Sequence, residues 1–386
     1  MIIKNAKVYN EDGSFTVRDI AIAGELFTEV ADSKNENTGN LAEVLDAAGL
    51  IAIPGLTDIH FHGCINHDLC DGTLKAIAAI AEYELQNGIT AICPATMTMP
   101  EEDLINIAEA VAVYENSNGA DLVGINLEGP FISKAKKGAQ NEHYIVPPNP
   151  ELYHKLQQLT KNKIKLVDIA PEEPGALEFI RAVKNEVVVS IAHTTADYET
   201  AIMAIKAGAS HITHLYNAMP SYTHREPGVV GAASDCPNCR VELICDGIHI
   251  HPAVVRNTFR IFGPDRVVMI SDSMRAAGLG DGESSLGGQK VFVKGKKATL
   301  EDGTIAGSVS NLMDCVRVCV KEMEIPLEQA VRSAAVNSAK AIGIYDKYGS
   351  ITPGKYANVV LLDRELNVRC VIMKGRIINK NEFCNV

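Results

Sequence analysis

Eight short runs of apolar and β-branched residues, most followed by a polar turn and then a stretch with helical spacing, dominate the middle of this 386-residue chain. They read "LTDIHFHG" (56–63), "ITAICPAT" (89–96), "LVGINLEG" (122–129), "IKLVDIAP" (164–171), "VVVSIAHT" (187–194), "HITHLYNA" (211–218), "VELICDGI" (241–248) and "VVMISDSM" (267–274). Between the first two, Leu74, Ile77, Ala78, Ala81 and Leu85 keep helical spacing, and Gly88 follows as a stop. Residues 197–207 repeat the scheme, with Asp197 as the candidate cap and Gly208 as the stop. Strands that alternate with helices pair in parallel. Eight such units therefore favour an α/β fold closed into a (β/α)8 TIM-type barrel over an open doubly wound sheet with the same alternation.

The chain ends follow a different pattern. "MIIKNAKVYN", "DIAIAGELFTEVA" and "ANVVLLDRELNVRCVIMKGRII" are β-rich, with no helical period between them. They predict a small β-sandwich-like domain built from both termini, residues 1–53 and 347–386, beside a barrel over 54–346. Residues 286–307 read as a hairpin inserted after the eighth strand. Helical patterns over 309–323 and 326–342 then return the chain to the terminal sheet.

Composition narrows the function classes. No uninterrupted apolar stretch approaches the roughly 18 residues of a membrane helix, and the first residues lack the apolar core of a secretory signal, so a cytoplasmic protein without a membrane partner is expected. A net charge of −12 disfavours nucleic acid, whose binding rests on a basic surface. A few local cations can still hold an anionic small molecule. The ten cysteines follow no framework and suit reduced thiols; Cys236 and Cys239 form one CxxC, read as a loop in the absence of a second pair. "GLGDGE" (278–283) lacks dinucleotide spacing and reads as a loop as well.

In a barrel the reactive groups lie at the C-terminal ends of the strands. The predicted strands end in His60 and His62, Glu128, His193, His214 and Asp272. A single strand-end histidine is more often a hydrogen-bonded structural residue than a ligand, and a lone acid before a glycine is usually a turn or cap residue. Six ligand-type residues at equivalent positions of five strands are hard to explain separately, and they predict a divalent metal site. Imidazole and carboxylate without thiolate suit zinc, iron, manganese or related ions. Two weaker signals are His224 and Arg225 in "SYTHREPGVVG", where a guanidinium near the mouth suits phosphate, and Asp246, His249 and His251 in "CDGIHIHP", which are read equally well as structural.

Taken together, "IPGLTDIHFHG", "NLEGPFIS" with "KKGAQN", "IAHTTADY", "THLYNAMPSYTHREPGVVGAA", "CDGIHIHP", "ISDSMRAAG" and "GTIAGS" span nearly the whole chain. They resemble the amidohydrolase superfamily and, within it, the N-acetylglucosamine-6-phosphate deacetylases. The resemblance implies that Glu128, His193 and His214 hold the main metal ion, and that His60 and His62 match the HxH of members holding a second. One or two ions are implied, zinc first, with iron, manganese, cobalt or nickel as alternatives. It further implies that Asp272 is the catalytic acid and base. Ala139, Gln140, Asn217, Ala218, Arg225, His249 and the stretch Ile305, Ala306 and Gly307 match substrate-contacting positions, with Arg225 and His249 near the sugar phosphate. The implied partner is a phosphorylated amino sugar, bound by a homodimer. Gln140 stands where the family often has histidine; it hydrogen-bonds but cannot become cationic. The rival readings are an N-acetylgalactosamine-6-phosphate deacetylase, a cyclic amidase of the dihydroorotase or hydantoinase type, and a barrel without catalysis.

Overall fold

The computed structural model describes residues 1–29 and 43–380; Val30 and Ala31, which end the second β-rich stretch, lie outside the described residues, as do 381–386 of the C-terminal segment. Eight parallel strands form the barrel: β1 (Leu56–Asp58), β2 (Ile89–Ile92), β3 (Ile125–Leu127), β4 (Ile164–Ile169), β5 (Val188–Ile191), β6 (His211–Ile212), β7 (Arg240–Ile244) and β8 (Val267–Ile270). β1 pairs with β2, and β3 through β8 pair in sequence. The seam between β2 and β3 is closed by the bridge from Ala95 to Asn126 and by Thr96 N–H donating to the Asn126 carbonyl at 2.9 Å. Past the end of regular pairing, Asp272 N–H donates to the His60 carbonyl (3.0 Å) and His62 N–H to that of Ser273 (2.7 Å), joining β8 to β1. These bonds fix the spacing of the mouth.

The strands are shorter than the apolar runs that announce them. β6 stops at Ile212 because His214, Tyr216 and Ala218 have φ of 29°, 77° and 51°, left-handed values that a strand cannot hold. His193 (φ 43°) and Asp272 (φ 49°) end their strands in the same way. Residues held in this sparsely populated region mark places where surrounding structure imposes a conformation, and they concentrate at functional sites.

Helices cover the barrel. α1 (Leu74–Gln86) is capped by Thr73, whose hydroxyl accepts from Ala76 N–H, and α2 (Tyr198–Ala207) by Asp197, which accepts from Thr200 N–H. The buried face of α1 is Ala76, Ile77, Ile80, Ala81, Glu84 and Leu85. It shares Ile77, Ala81 and Leu85 with the stripe that the sequence suggests, whereas Leu74 and Ala78 face solvent and Ala76, Ile80 and Glu84 take the inside positions.

Glu84 has both carboxylate oxygens buried without a hydrogen-bond partner. Burial, reinforced by the negative charges of Asp58 and Asp314, pushes its pKa well above the ordinary value. An unfolded chain releases this proton near pH 4.5 while the folded chain keeps it, so stability drains away as pH rises from there through the raised folded pKa. Glu84→Gln keeps the shape and removes the proton, and is expected to be more stable than the parent at pH 8 by about 1–3 kcal/mol and close to it at pH 4. Denaturant midpoints at the two pH values check this.

After β8 the expected hairpin is instead a three-stranded antiparallel sheet, Gly282–Leu286, Gln289–Lys294 and Lys297–Thr299. Its first strand, "GESSL", has too little apolar alternation to show in the sequence. It packs on Met97, Ala139 and Met274 beside the mouth, and Gln289 Nε2 donates to the Ala139 carbonyl at 2.6 Å. α3 (Leu312–Lys321) follows, and the chain over 327–341 contains one π-helical turn, Arg332–Val336.

Strands from both chain ends form one sheet. Val359–Leu362 pairs antiparallel with Ile51–Pro54, setting Val360 against Ile53, and Ile51–Pro54 also pairs with Ile2–Tyr9. Ile51–Pro54 leads through Gly55 into β1, which ties this sheet to the barrel. The nine described cysteines are free, and Cys236 and Cys239 lie in the loop after the helix Gly228–Asp235. Among the described residues no helix is long and apolar enough to cross a membrane.

Candidate active site

Glu128, one residue beyond β3, is the hub of the mouth. Its Oε1 lies 3.0 Å from His193 Nε2, 3.3 Å from His214 Nε2 and 3.6 Å from His60 Nε2, and its Oε2 lies 3.4 Å from His62 Nε2. Asp272 Oδ1 stands 3.3 Å from His62 Nε2 and 3.9 Å from His60 Nε2. All six residues are buried. They give two overlapping ligand groups, His60 with His62 and Glu128, and Glu128 with His193 and His214; the ligand atoms of each lie within 4.8 Å of one another. Gly129 helps to set this placement: with φ of 71° it lets the chain turn after Glu128, and a Cβ there would stand 2.1 Å from Thr98 Oγ1.

The hydrogen bonds around the cluster show what it is built to hold. His193 Nδ1 donates to the Lys136 carbonyl at 2.8 Å, which fixes the ring with Nε2 turned toward Glu128. His60 Nδ1 donates to Glu242 Oε2 at 2.9 Å, and its Nε2 is left buried without a hydrogen-bond partner, as is Glu128 Oε2. Imidazole nitrogens and a carboxylate thus converge on one space. Buried polar atoms without partners are costly, and a divalent cation satisfies this nitrogen and oxygen set. The residues fit a metal.

Asp272 is a carboxylate aimed at the same space. Burial alone would lift its pKa, but the hydrogen bond from His62 and the charges of His60 and His62 outweigh burial and hold it below the usual value. It is therefore ionised near neutrality and able to take up a proton.

A cavity of about 390 Å³ opens from this cluster. His62, Glu128, His193, His214 and Asp272 line it, and so do Ala139, Gln140, Asn217, Ala218, His249, Ile305 and Gly307. Gln140 Oε1 accepts from Thr98 N–H at 2.6 Å, which leaves the amide NH2 as the free end of the side chain. His249 Nδ1 donates to Asp246 Oδ2 at 2.7 Å, whereas His251 caps the helix Pro252–Phe262 by accepting from Ala253 N–H. Three predicted residues stand apart: His60 lies behind the wall, Ala306 is fully buried, and Arg225 is exposed in the loop over 221–226.

The sequence model described as "Amidohydrolase family" matches residues 51–378. The chain belongs to that family. An N-acetylglucosamine-6-phosphate deacetylase of Bacillus subtilis is 39% identical over 341 residues, 87% of this chain and 86% of the relative. One of Lysinibacillus sphaericus is 33% identical over 381 residues, 98% and 97% of the two chains. Among solved structures, a variant N-acetyl-D-glucosamine-6-phosphate deacetylase of Mycobacterium smegmatis in complex with N-acetyl-D-glucosamine-6-phosphate is similar, with a TM-score of 0.89, 29% identity and coverage of 98% and 99%.

Two residues of this amidohydrolase escape sequence reasoning. Glu242, within β7 and fully buried, accepts from His60 Nδ1 and from His214 N–H (3.1 Å) through Oε2, and from His211 Nε2 (3.1 Å) through Oε1. Burial would raise its pKa, yet the positive charge of His60 and the hydrogen bonds from His211 and His60 bring it down to about 2. The one signal was a lone acid inside "VELIC". Partners that orient metal ligands carry a large share of affinity, and Glu242→Gln is expected to weaken metal binding by about 10- to 100-fold. Titration against a competing chelator measures it. The other is Lys136, which lines the cavity and sits unremarked in "KAKKGAQ".

Proposed function

We infer that this amidohydrolase hydrolyses the acetamide of N-acetyl-D-glucosamine 6-phosphate, giving D-glucosamine 6-phosphate and acetate. The observation that carries the reading is the convergence of five imidazole and carboxylate ligand residues with a buried, ionised Asp272 at one cavity. The 33–39% identity to deacetylases over most of the chain supports it.

In this reading Glu128, His193 and His214 hold the main ion, and His60 and His62 share Glu128 with a second. Zinc is the first choice for the donor set, ahead of iron, manganese, cobalt or nickel. When bound, a divalent cation supplies Lewis acidity toward a carbonyl oxygen and makes a neighbouring water more acidic. Asp272 accepts the proton of the water that attacks the acetyl carbon, then returns it to the sugar nitrogen as the carbon–nitrogen bond breaks. The Gln140 amide donates to the substrate, and the ring of His249, braced by Asp246, binds at the sugar phosphate. Exposed Arg225 supports a homodimer in which one chain's loop completes the phosphate end of the other's cavity.

The test is acetate release from the 6-phosphates of N-acetylglucosamine and N-acetylgalactosamine. A higher kcat/KM on the first is expected. Preference for the second would replace the substrate by its epimer, and release from neither would overturn the reading.

A further inference from the structure

The phosphate of the inferred substrate carries close to two negative charges, and the chain's own described residues supply one permanent cation to the cavity wall. Among the described residues lining the cavity, Lys136 is the only lysine or arginine. Arg225 lies in the exposed loop over 221–226 and takes no part in the wall.

The surroundings of Lys136 suit it for an anion. Among the described residues no carboxylate forms an ion pair with its ammonium group. The polar partner of Nζ is the Met219 carbonyl, at 3.3 Å, and an ammonium has three donors. Met219 directly follows Asn217 and Ala218, both on the cavity wall, so the ammonium sits at that side of the cavity. The backbone beneath is fixed: Lys136 N–H donates to the Ser133 carbonyl at 3.1 Å, Ser133 N–H donates to that of His193 at 2.9 Å, and the Lys136 carbonyl receives His193 Nδ1 at 2.8 Å. A half-buried cation, held on a braced turn with donors to spare and no counter-charge, is poised for a ligand's charge.

We propose that Lys136 binds the phosphate of the substrate from within the same chain, and so sets the preference for the phosphorylated over the unphosphorylated sugar. The proposal rests on the deacetylase reading above. The carbonyl and the ammonium of Lys136 serve different ends: the first orients a metal-ligand imidazole, the second holds the substrate, so both are placed by one short turn.

The experiment compares the parent with Lys136→Met and Lys136→Arg on N-acetylglucosamine 6-phosphate and on N-acetylglucosamine, with metal content measured on each sample. The ratio of kcat/KM between the two sugars is expected to fall by roughly 10- to 100-fold in Lys136→Met, the effect of losing a charge-assisted bond, and mainly through KM. Lys136→Arg keeps the charge and is expected to retain the preference. Inorganic phosphate should inhibit the Met variant less than the parent by a similar factor. Equal losses on both sugars, or a ratio like the parent's, would overturn the proposal; lower metal content with equal losses would assign Lys136 to the support of His193 instead. Should the parent release acetate from neither sugar, the deacetylase reading fails separately. Calorimetric titration with glucosamine 6-phosphate and with glucosamine then decides on Lys136: a phosphate preference lost in the Met variant supports it, and the same affinities in both proteins overturn it.

Discussion

Replacing Asp272 by asparagine is expected to lower turnover by about 10² to 10⁴ while leaving metal content close to that of the parent. The amide side chain would fill the same volume two residues beyond β8 and still present a carbonyl oxygen to His62, which lies 3.3 Å from the present carboxylate. Proton affinity is what it lacks. Asp272 is not needed to complete either ligand group, since each closes through Glu128, so the loss should appear in the chemical step rather than in loading. Turnover on N-acetylglucosamine 6-phosphate and elemental analysis of the same sample check both halves. Near-parental turnover would remove Asp272 from the proton transfer.

Metal removal is the second large effect. A chelator-treated sample is expected to lose acetate release and to recover it when a divalent ion is returned. Without a cation the ring nitrogens of His60 and His193 and the Glu128 carboxylate crowd one buried space that no ion bridges. The loss should therefore reach stability too, because an ion that binds only the folded chain adds about 2.7 kcal/mol at a hundredfold excess over its dissociation constant. Thermal midpoints of the stripped and reloaded protein measure this independently of turnover. Reloading with counted equivalents shows whether recovery is complete after one ion, at Glu128, His193 and His214, or needs a second at His60 and His62. Acetate release that survives in metal-free protein would end the metal-dependent reading.

The period of the apolar runs was legible along the chain because strand and helix spacings are local properties. The alternation of the two led to the barrel, and the polar residues at the ends of the runs led to the mouth. Where runs were shortened, the cause lay in left-handed residues such as His193, His214 and Asp272, which no propensity favours at those positions. The α1 face was legible at Ile77, Ala81 and Leu85 but not at its edge: Leu74 and Ala78 fit a helical stripe as well as Ala76 and Ile80 do, and the packing partner decides between them. Arg225 follows β6 in sequence, and within its own chain the loop over 221–226 is exposed and stays off the cavity wall, a placement that sequence order does not specify.

The sequence by itself therefore determined the alternating architecture and the ligand types that each strand end contributes, since both follow from neighbours a few residues apart. Only the tertiary structure decided that Glu242 braces His60, His211 and the His214 backbone, that Glu84 is shut inside, and that, among the described residues of one chain, Lys136 rather than Arg225 reaches the cavity wall. Those outcomes depend on groups up to 182 residues apart meeting across a closed ring. Ring closure brings them together through hydrogen bonds and burial, and no local pattern carries the record of that encounter.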